Sequence, residues 1–313
     1  MVVQVTPDFL MRLSAAFSTL YLVALGHSLF EKSGMLNLAI DGLFFLSTGV
    51  SVFTAVTVHH ALVGAGVPTA LAPLLATLLA GLASMLIGLL MAWVLTNLPV
   101  SHAAVGFSLM FLGYGLGILA GYRVRLEVGN IRPYAYPYEL PTYLAATAAA
   151  VAAGLAVHYL LHKTSFGAAI RSCGENPHAA ASLGVRVSRV RMVAGALGLF
   201  VLGCGASLFP LLWQRYWDIK TYILGYGWFA FTIALASGRH PLLLMPFAAV
   251  FGGLIEFATA LQALYGLQVD LAKMIPFVVS LALMVVYGAT RLRKALEPPS
   301  SLGKTYYKEE RTV

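Results

Sequence analysis

Charge is what this sequence has least of. Asp, Glu, Lys and Arg make up 10% of its 313 residues, where a soluble domain usually carries about 25%. Twenty basic and 12 acidic side chains cannot clothe a water-soluble globule of this length. Hydrophobic residues supply 59% of the chain. With the 30 Gly the apolar share reaches about 69%, against about 45–50% in soluble domains. The mean hydropathy of +0.83 agrees. A soluble enzyme, a disordered chain and a collagenous or disulfide-stapled scaffold are excluded, which leaves an all-α, polytopic membrane protein. Cysteine is nearly absent too: Cys173 and Cys204 stand 31 residues apart with no zinc or redox spacing, and read as free thiols. The shortage of acid leaves a net charge of +8. The excess falls in two stretches between or after apolar runs, as membrane topology requires, so a lipid partner is expected and nucleic acid is not.

Motifs for chemistry are missing as well. The sole Gly-Lys-Thr is Gly303-Lys304-Thr305, and Pro298 stands where a P-loop needs its first Gly. There is no HExxH and no nucleophile elbow with triad partners. The eight His are scattered along the chain, and His59-His60 is placed in an external loop. The sequence therefore predicts no catalytic residue, no metal site and no cofactor held by this chain.

What is present is a series of apolar runs. Residues 42–122 hold 81 positions without one Asp, Glu, Lys or Arg, room for three spans of about 20 residues. Pro68, Pro99 and the Thr96-Asn97 and His59-His60 pairs mark the breaks. Spans are expected at 13–30, 38–58, 69–96, 102–122, 141–162, 192–213, 221–238, 241–262 and 274–290. That is about nine (8–10) in one transmembrane domain covering 1–313. The N-terminus lacks a basic leader region, so the first span is expected to be retained. The loop 163–191 carries Lys163, Arg171, Arg186, Arg189 and Arg191, and the tail 291–313 is also basic. Four spans separate the two, so both belong on one side, the cytoplasmic one, with 123–140 and the N-terminus outside. Gly113, Gly117 and Gly121, and Ser84, Gly88 and Ala92, recur at four-residue spacing, which lets helices approach closely. Their partner is a helix of the same chain or of another subunit.

Buried polar residues are costly in lipid and point to a pathway or an interface. Asn37 and Asp41 share a helical face in an apolar stretch flanked by Gly34 and Gly42, where a broken or re-entrant helix would expose backbone to a polar solute. Alternatively, Asp41 caps a helix or pairs with Lys32. Glu256, with Gln262 further along, lies in the eighth span and either lines the route or is satisfied by a neighbouring helix. In the loop, Glu175-Asn176-Pro177 reads as a helix start, with Asn176 as cap, Pro177 in the first turn and Glu175 at the positive dipole end. Ala179 to Leu183 continue the helix and Gly184 stops it.

The stretch Arg171 to Val185 resembles the Arg-x-x-Gly-Glu-Asn-Pro-x-Ala-Ala-x-x-x-Gly signature of ABC importer permeases, in the simple sugar and nucleoside (ribose-type, BMP-lipoprotein-associated) branch. Glu31 to Gly42 is similar to the Glu-Arg-Ser-Gly-Val-Leu-Asn segment of that branch. Gly225 to Phe231, Ser237 to Pro241, Phe251-Gly252-Gly253 and Pro276-Phe277 follow in order. Asp41 stands where the family usually has Glu, the Gly-Arg-His-Pro segment is one residue short, and 97–140 matches poorly. The resemblance implies a binding-protein-dependent inner-membrane permease subunit, not an enzyme, translocating a nucleoside or simple sugar across the cell membrane. It implies a cytoplasmic coupling helix, with Arg171, Gly174, Glu175, Asn176, Pro177, Ala180 and Gly184 serving ATPase coupling. Asn37, Asp41 and Glu256 are candidates for the substrate pathway. The implied partners are ABC ATPase subunits that hold the ATP and Mg, a paralogous permease or second copy, and an extracytoplasmic solute-binding protein. The alternatives are a branched-chain amino acid permease and an ATP-independent carrier or channel.

Overall fold

The structure is a computed structural model that describes residues 7–219, 225–266 and 297–306, with 274, 277–279, 281, 282 and 285. Its long helices are α1 (Pro7–Glu31), α2 (Ile40–Gly64), α3 (Leu71–Asn97), α4 (His102–Val128) and α5 (Leu140–Lys163). Two short helices follow, α6 (Ser165–Glu175) and α7 (Pro177–Ser182), then α8 (Val187–Leu208), α9 (Tyr226–Ala236) and α10 (Leu244–Tyr265). No strand occurs among the described residues. A π-turn, Phe209–Trp213, extends α8. Pro210 has no N–H to donate and its ring crowds the preceding turn, which accounts for the wider turn there.

Seven of these helices are long and apolar enough to cross a membrane: α1 to α5, α8 with its π-turn, and α10. They match the expected spans in place, usually with longer ends. The expected seventh span is different. Residues 220–224 lie outside the described residues, and α9 has only 11 residues, about 16 Å at 1.5 Å per residue, half of a hydrocarbon core of about 30 Å. Gly225, at φ +86°, sets its start in a left-handed conformation that cannot extend the helix backwards. The expected ninth span and the tail residues 291–296 and 307–313 lie outside the described residues, apart from isolated positions of the span. Pro68 and Pro99 do sit in interhelical turns, whereas His59 and His60 lie within α2, which continues to Gly64.

Burial orders the helices. In its most apolar window α2 is 83% buried, against 22% for α4 and α5. The outward faces of α3, α4 and α5 carry Leu82, Leu86, Trp93, Phe111, Leu119, Leu144 and Leu155, an apolar surface suited to lipid. The glycine rows face inward within this chain. A Cβ on Gly113 would overlap the backbone of Gly42, and one on Gly42 would overlap Met110. Gly117 meets Phe45 and the Gly49 backbone, and Gly121 meets the Trp217 ring. Ser84 shares a 2.6 Å hydrogen bond with Ser47, and Gly88 lies against Gly195. α2 and α4 thus pack backbone to backbone in parallel, with α3 against α8. Both rows serve packing inside the chain.

Candidate functional site

The chain between α1 and α2 does not continue a helix. Residues 35–39 are non-helical and buried apart from Leu36 and Leu38 at intermediate exposure. Asn37 therefore does not share a helical face with Asp41. Its Oδ1 accepts from the Ala39 amide at 3.0 Å, and its Nδ2 lies 3.4 Å from His27 Nδ1. Gly42, next to Asp41, touches Met110 and Gly113 of α4, 8 and 11 residues in from His102. Asp41 therefore lies about 12–16 Å along α4 from that end, well inside the bundle.

Asp41 does not pair with Lys32, whose Nζ donates to the Gly238 carbonyl at 3.2 Å. Its carboxylate accepts from the Tyr114 hydroxyl at 2.5 Å and from the Gly227 amide at 2.7 Å. Gly227 is in the first turn of α9, whose own cap, Gly225, has no side chain to offer. A helix that starts inside a membrane protein presents unpaired N–H groups and the positive end of its dipole. Asp41 satisfies both from another helix. The capping alternative is correct in kind, but the helix capped starts 185 residues downstream.

Glu256 is held separately. The Trp213 indole N–H donates to its Oε1 at 2.6 Å, about 18 Å along α10 from Leu244. Between Asp41 and Glu256 lies an aromatic cluster. Phe44, Phe209, Trp213, Tyr226 and Phe229 meet at ring separations of 4.5–6.2 Å. The three pathway candidates are thus not one constellation: Asn37 braces a turn, Asp41 caps α9, and Glu256 anchors the end of the π-turn.

The polar centre that sequence reasoning missed is the pair Glu31–Arg239. Arg239 Nε donates to Glu31 Oε2 at 2.5 Å, His27 Nε2 lies 3.4 Å from the same oxygen, and the Asn37 amide approaches Oε1 at 3.4 Å. All four residues are buried. Arg239 takes φ +60°, a conformation costly for a side-chain-bearing residue, in the turn after α9. Its bond to Glu31 helps to hold that turn. A signal existed, since both residues fall inside segments that carried the family resemblance.

Nearby, the loop between α5 and α8 is more ordered than one short helix, because α6 precedes α7. Thr164 caps α6 by accepting from Gly167, and Asn176 caps α7 by accepting from Ala179, both at 3.0 Å. Pro177 opens α7, and Gly184, at φ +86°, follows its end. Glu175 ends α6 instead of guarding the dipole of α7 by position alone. Its carboxylate accepts from the Ser300 amide and hydroxyl at 3.2 and 2.7 Å. The Ser301 amide and hydroxyl both donate to the Gly174 carbonyl. Residues 297–306, the described part of the tail, therefore lie on one face with the loop, in line with the same-side expectation. Gly174 is a tight fit, since a Cβ there would overlap the Lys32 carbonyl.

The seven coupling residues divide by exposure. Gly174, Pro177 and Ala180 are buried against the body, while Arg171, Glu175, Asn176 and Gly184 are exposed. The missed residue here is Leu183, a large apolar side chain 85% exposed at the end of α7. Next to it in sequence, a cleft of about 810 Å³ opens between Thr96–Pro99, Ala181, the stretch from Gly184 to Arg189, and Tyr306. Arg191, which looked like a loop charge, is fully buried. It donates to the Ser33 carbonyl at 3.1 Å and lies 5.3 Å from the Tyr306 ring. Lys32, at the same junction, has its ammonium pKa lowered, first by burial and then by the Arg239 charge. Both cysteines are free. Burial raises the Cys173 thiol pKa, an inert setting.

Comparison with known proteins agrees with this architecture. The chain is 25% identical to a nucleoside ABC transporter permease of Lactococcus lactis subsp. cremoris, over 93% of this chain and 94% of that one. It is 26% identical to the guanosine ABC transporter permease of Bacillus subtilis, again over 93% and 94%. A Haloferax volcanii protein provisionally named a glucose ABC transporter permease is 27% identical over 76% of this chain and 72% of its own length. No solved structure matches at a comparable level. Permeases of binding-protein-dependent ABC importers work in general with ATPase subunits and a solute-binding protein. Residues 9–287 match a single family profile, and with its multi-pass apolar helices the chain belongs to the family described as branched-chain amino acid transport system permease components.

Proposed function

We propose that this chain is one permease subunit of an ATP-driven importer for nucleosides, and that α7 is the element through which the ATPase moves it. The observation that carries the coupling reading is the build of that element. α7 is capped at both ends, fastened inward by its own Pro177 and Ala180 and by Gly174 at the end of α6, and presents Leu183 to the outside near the cleft. An apolar knob on a rigid base suits a partner groove. The partner is an ABC ATPase that holds ATP and Mg. A paralogous permease or second copy completes the route, and a binding protein delivers the solute. The face bearing α7 and residues 297–306 is cytoplasmic in this reading, supported by Arg171, Arg186 and Arg189, which are exposed there.

The nucleoside assignment rests on the two relatives that align along nearly all of this chain. The aromatic cluster between Asp41 and Glu256 supports it, because stacked rings are a suitable lining for a nucleobase. Asn37, Asp41 and Glu256 position the elements around that route. A sugar is the second reading, favoured by the Haloferax relative.

The test is Leu183→Asp in the intact transporter. The variant is expected to insert normally, to lose the co-purifying ATPase, and to lose ATP-driven uptake of labelled guanosine. Undiminished ATPase capture would overturn the coupling role. Uptake of labelled glucose, but not guanosine, by the wild type would replace the nucleoside reading.

A further inference from the structure

His158 and His162 stand four residues apart near the end of α5, on one helical face. His240 faces them from the turn between α9 and α10. One ring nitrogen from each lies within 4.8 Å of the others, and the ring centroids are 4.4–5.3 Å apart. Two features set this group apart from a chance gathering of polar side chains. The Nδ1 atoms of both His158 and His240 are buried without a hydrogen-bond partner, a costly condition for a polar atom. His162 Nδ1 lies 3.0 Å from the His158 carbonyl. Donation along that contact leaves Nε2 unprotonated and free to coordinate, the backing that metal-bound histidines usually have.

From this geometry we propose that His158, His162 and His240 form a binding site for a divalent transition-metal ion of the zinc class. Three neutral imidazoles suit Zn²⁺, Cu²⁺ or Ni²⁺ and offer nothing to Mg²⁺ or Ca²⁺, which require oxygen ligands. Nitrogens on a tetrahedral zinc lie about 3.3 Å apart, given Zn–N bonds of about 2.0–2.1 Å. The nitrogens need to close by up to about 1.5 Å, and His162, exposed at the surface, has room to turn. Its exposure also leaves a fourth position for water. Lys32 and Lys163 are the nearby cations. They oppose the ion's charge but do not occupy the nitrogens. A bound ion ties α5 to the turn that carries Arg239.

The experiment uses the full chain in detergent, purified without a polyhistidine tag. Zinc chloride is titrated against it by calorimetry, and cobalt(II) is used as a spectroscopic stand-in. One ion per chain is expected, with visible cobalt bands of nitrogen coordination and no competition from magnesium. His162→Ala and His240→Ala should each weaken binding by at least about tenfold. His162→Ala removes an exposed ring and serves as the variant least able to disturb folding. His59→Ala/His60→Ala should leave binding unchanged. The site is refuted if binding is not stoichiometric, or if it survives both His162→Ala and His240→Ala.

Discussion

Arg239 and Glu31 show how much one residue can decide here. Glu31 is fully buried, and Arg239 is its sole fully charged partner among the described ion pairs. Replacing Arg239 with Leu leaves a carboxylate in the interior without its counter-charge, at a cost of about 3–5 kcal/mol. Thermal unfolding in detergent should show a large drop for Arg239→Leu. Glu31→Leu/Arg239→Leu should recover part of it, because the second substitution removes the stranded charge. Equal losses in the single and double variants would show that the pair is not the cause. Neither residue stood out as a buried pair in the sequence, since 208 positions separate them and pairing across that distance leaves no local pattern. Asn176 did stand out, because a cap is made with an amide three residues away. Asp41 falls between the two cases. Its acidity in an apolar stretch was visible, but its partner Gly227 was not, because no periodicity links α2 to the start of a helix 185 residues later.

At the scale of elements, spacing was the legible feature and depth was not. The four-residue glycine rows indicated close helix contacts, and α2 against α4 fulfils them. Nothing in the composition of residues 221–238 indicated a helix of half length, because its interruption is set by the conformation of Gly225 and by a carboxylate from α2. The π-turn was equally hidden, with Pro210 as its one trace. The α2–α4 contact makes a direct prediction. Gly42→Val places side-chain atoms in the Met110 backbone and must push the helices apart, an overpacking cost of about 1–3 kcal/mol or more. Gly115→Ala, two residues from Gly113 on an open face of α4, meets nothing within 4 Å and should stay within about 1 kcal/mol of the parent. Unfolding midpoints of the two variants should separate clearly. If they coincide, the close approach of α2 and α4 is wrong.

Across the whole molecule, parts distant in sequence converge on one face: the α1–α2 turn, the α6–α7 pair, the turn after α9, and residues 297–306. Gly174 stands at their junction, pressed on the Lys32 carbonyl with its own carbonyl held by Ser301. Gly174→Val should tilt α6 and α7 off this base without touching the bundle core. In reconstituted transporter the expected result is lost nucleoside uptake with persisting ATP hydrolysis, from a chain that is still inserted and monodisperse. Normal uptake would show that α7 needs no rigid seat. The charge deficit indicated a membrane protein early, whereas this shared base depended on contacts among segments that each looked like a separate loop.

The hydrogen bonds from Ser300 and Ser301 to Glu175 and Gly174 also impose an order in time. Residues 297–306 leave the ribosome after every described helix has been made. The support behind α7 is therefore assembled only after all of those helices, so that, in the proposed coupling, an ATPase that requires it meets only permeases whose synthesis has run past that point.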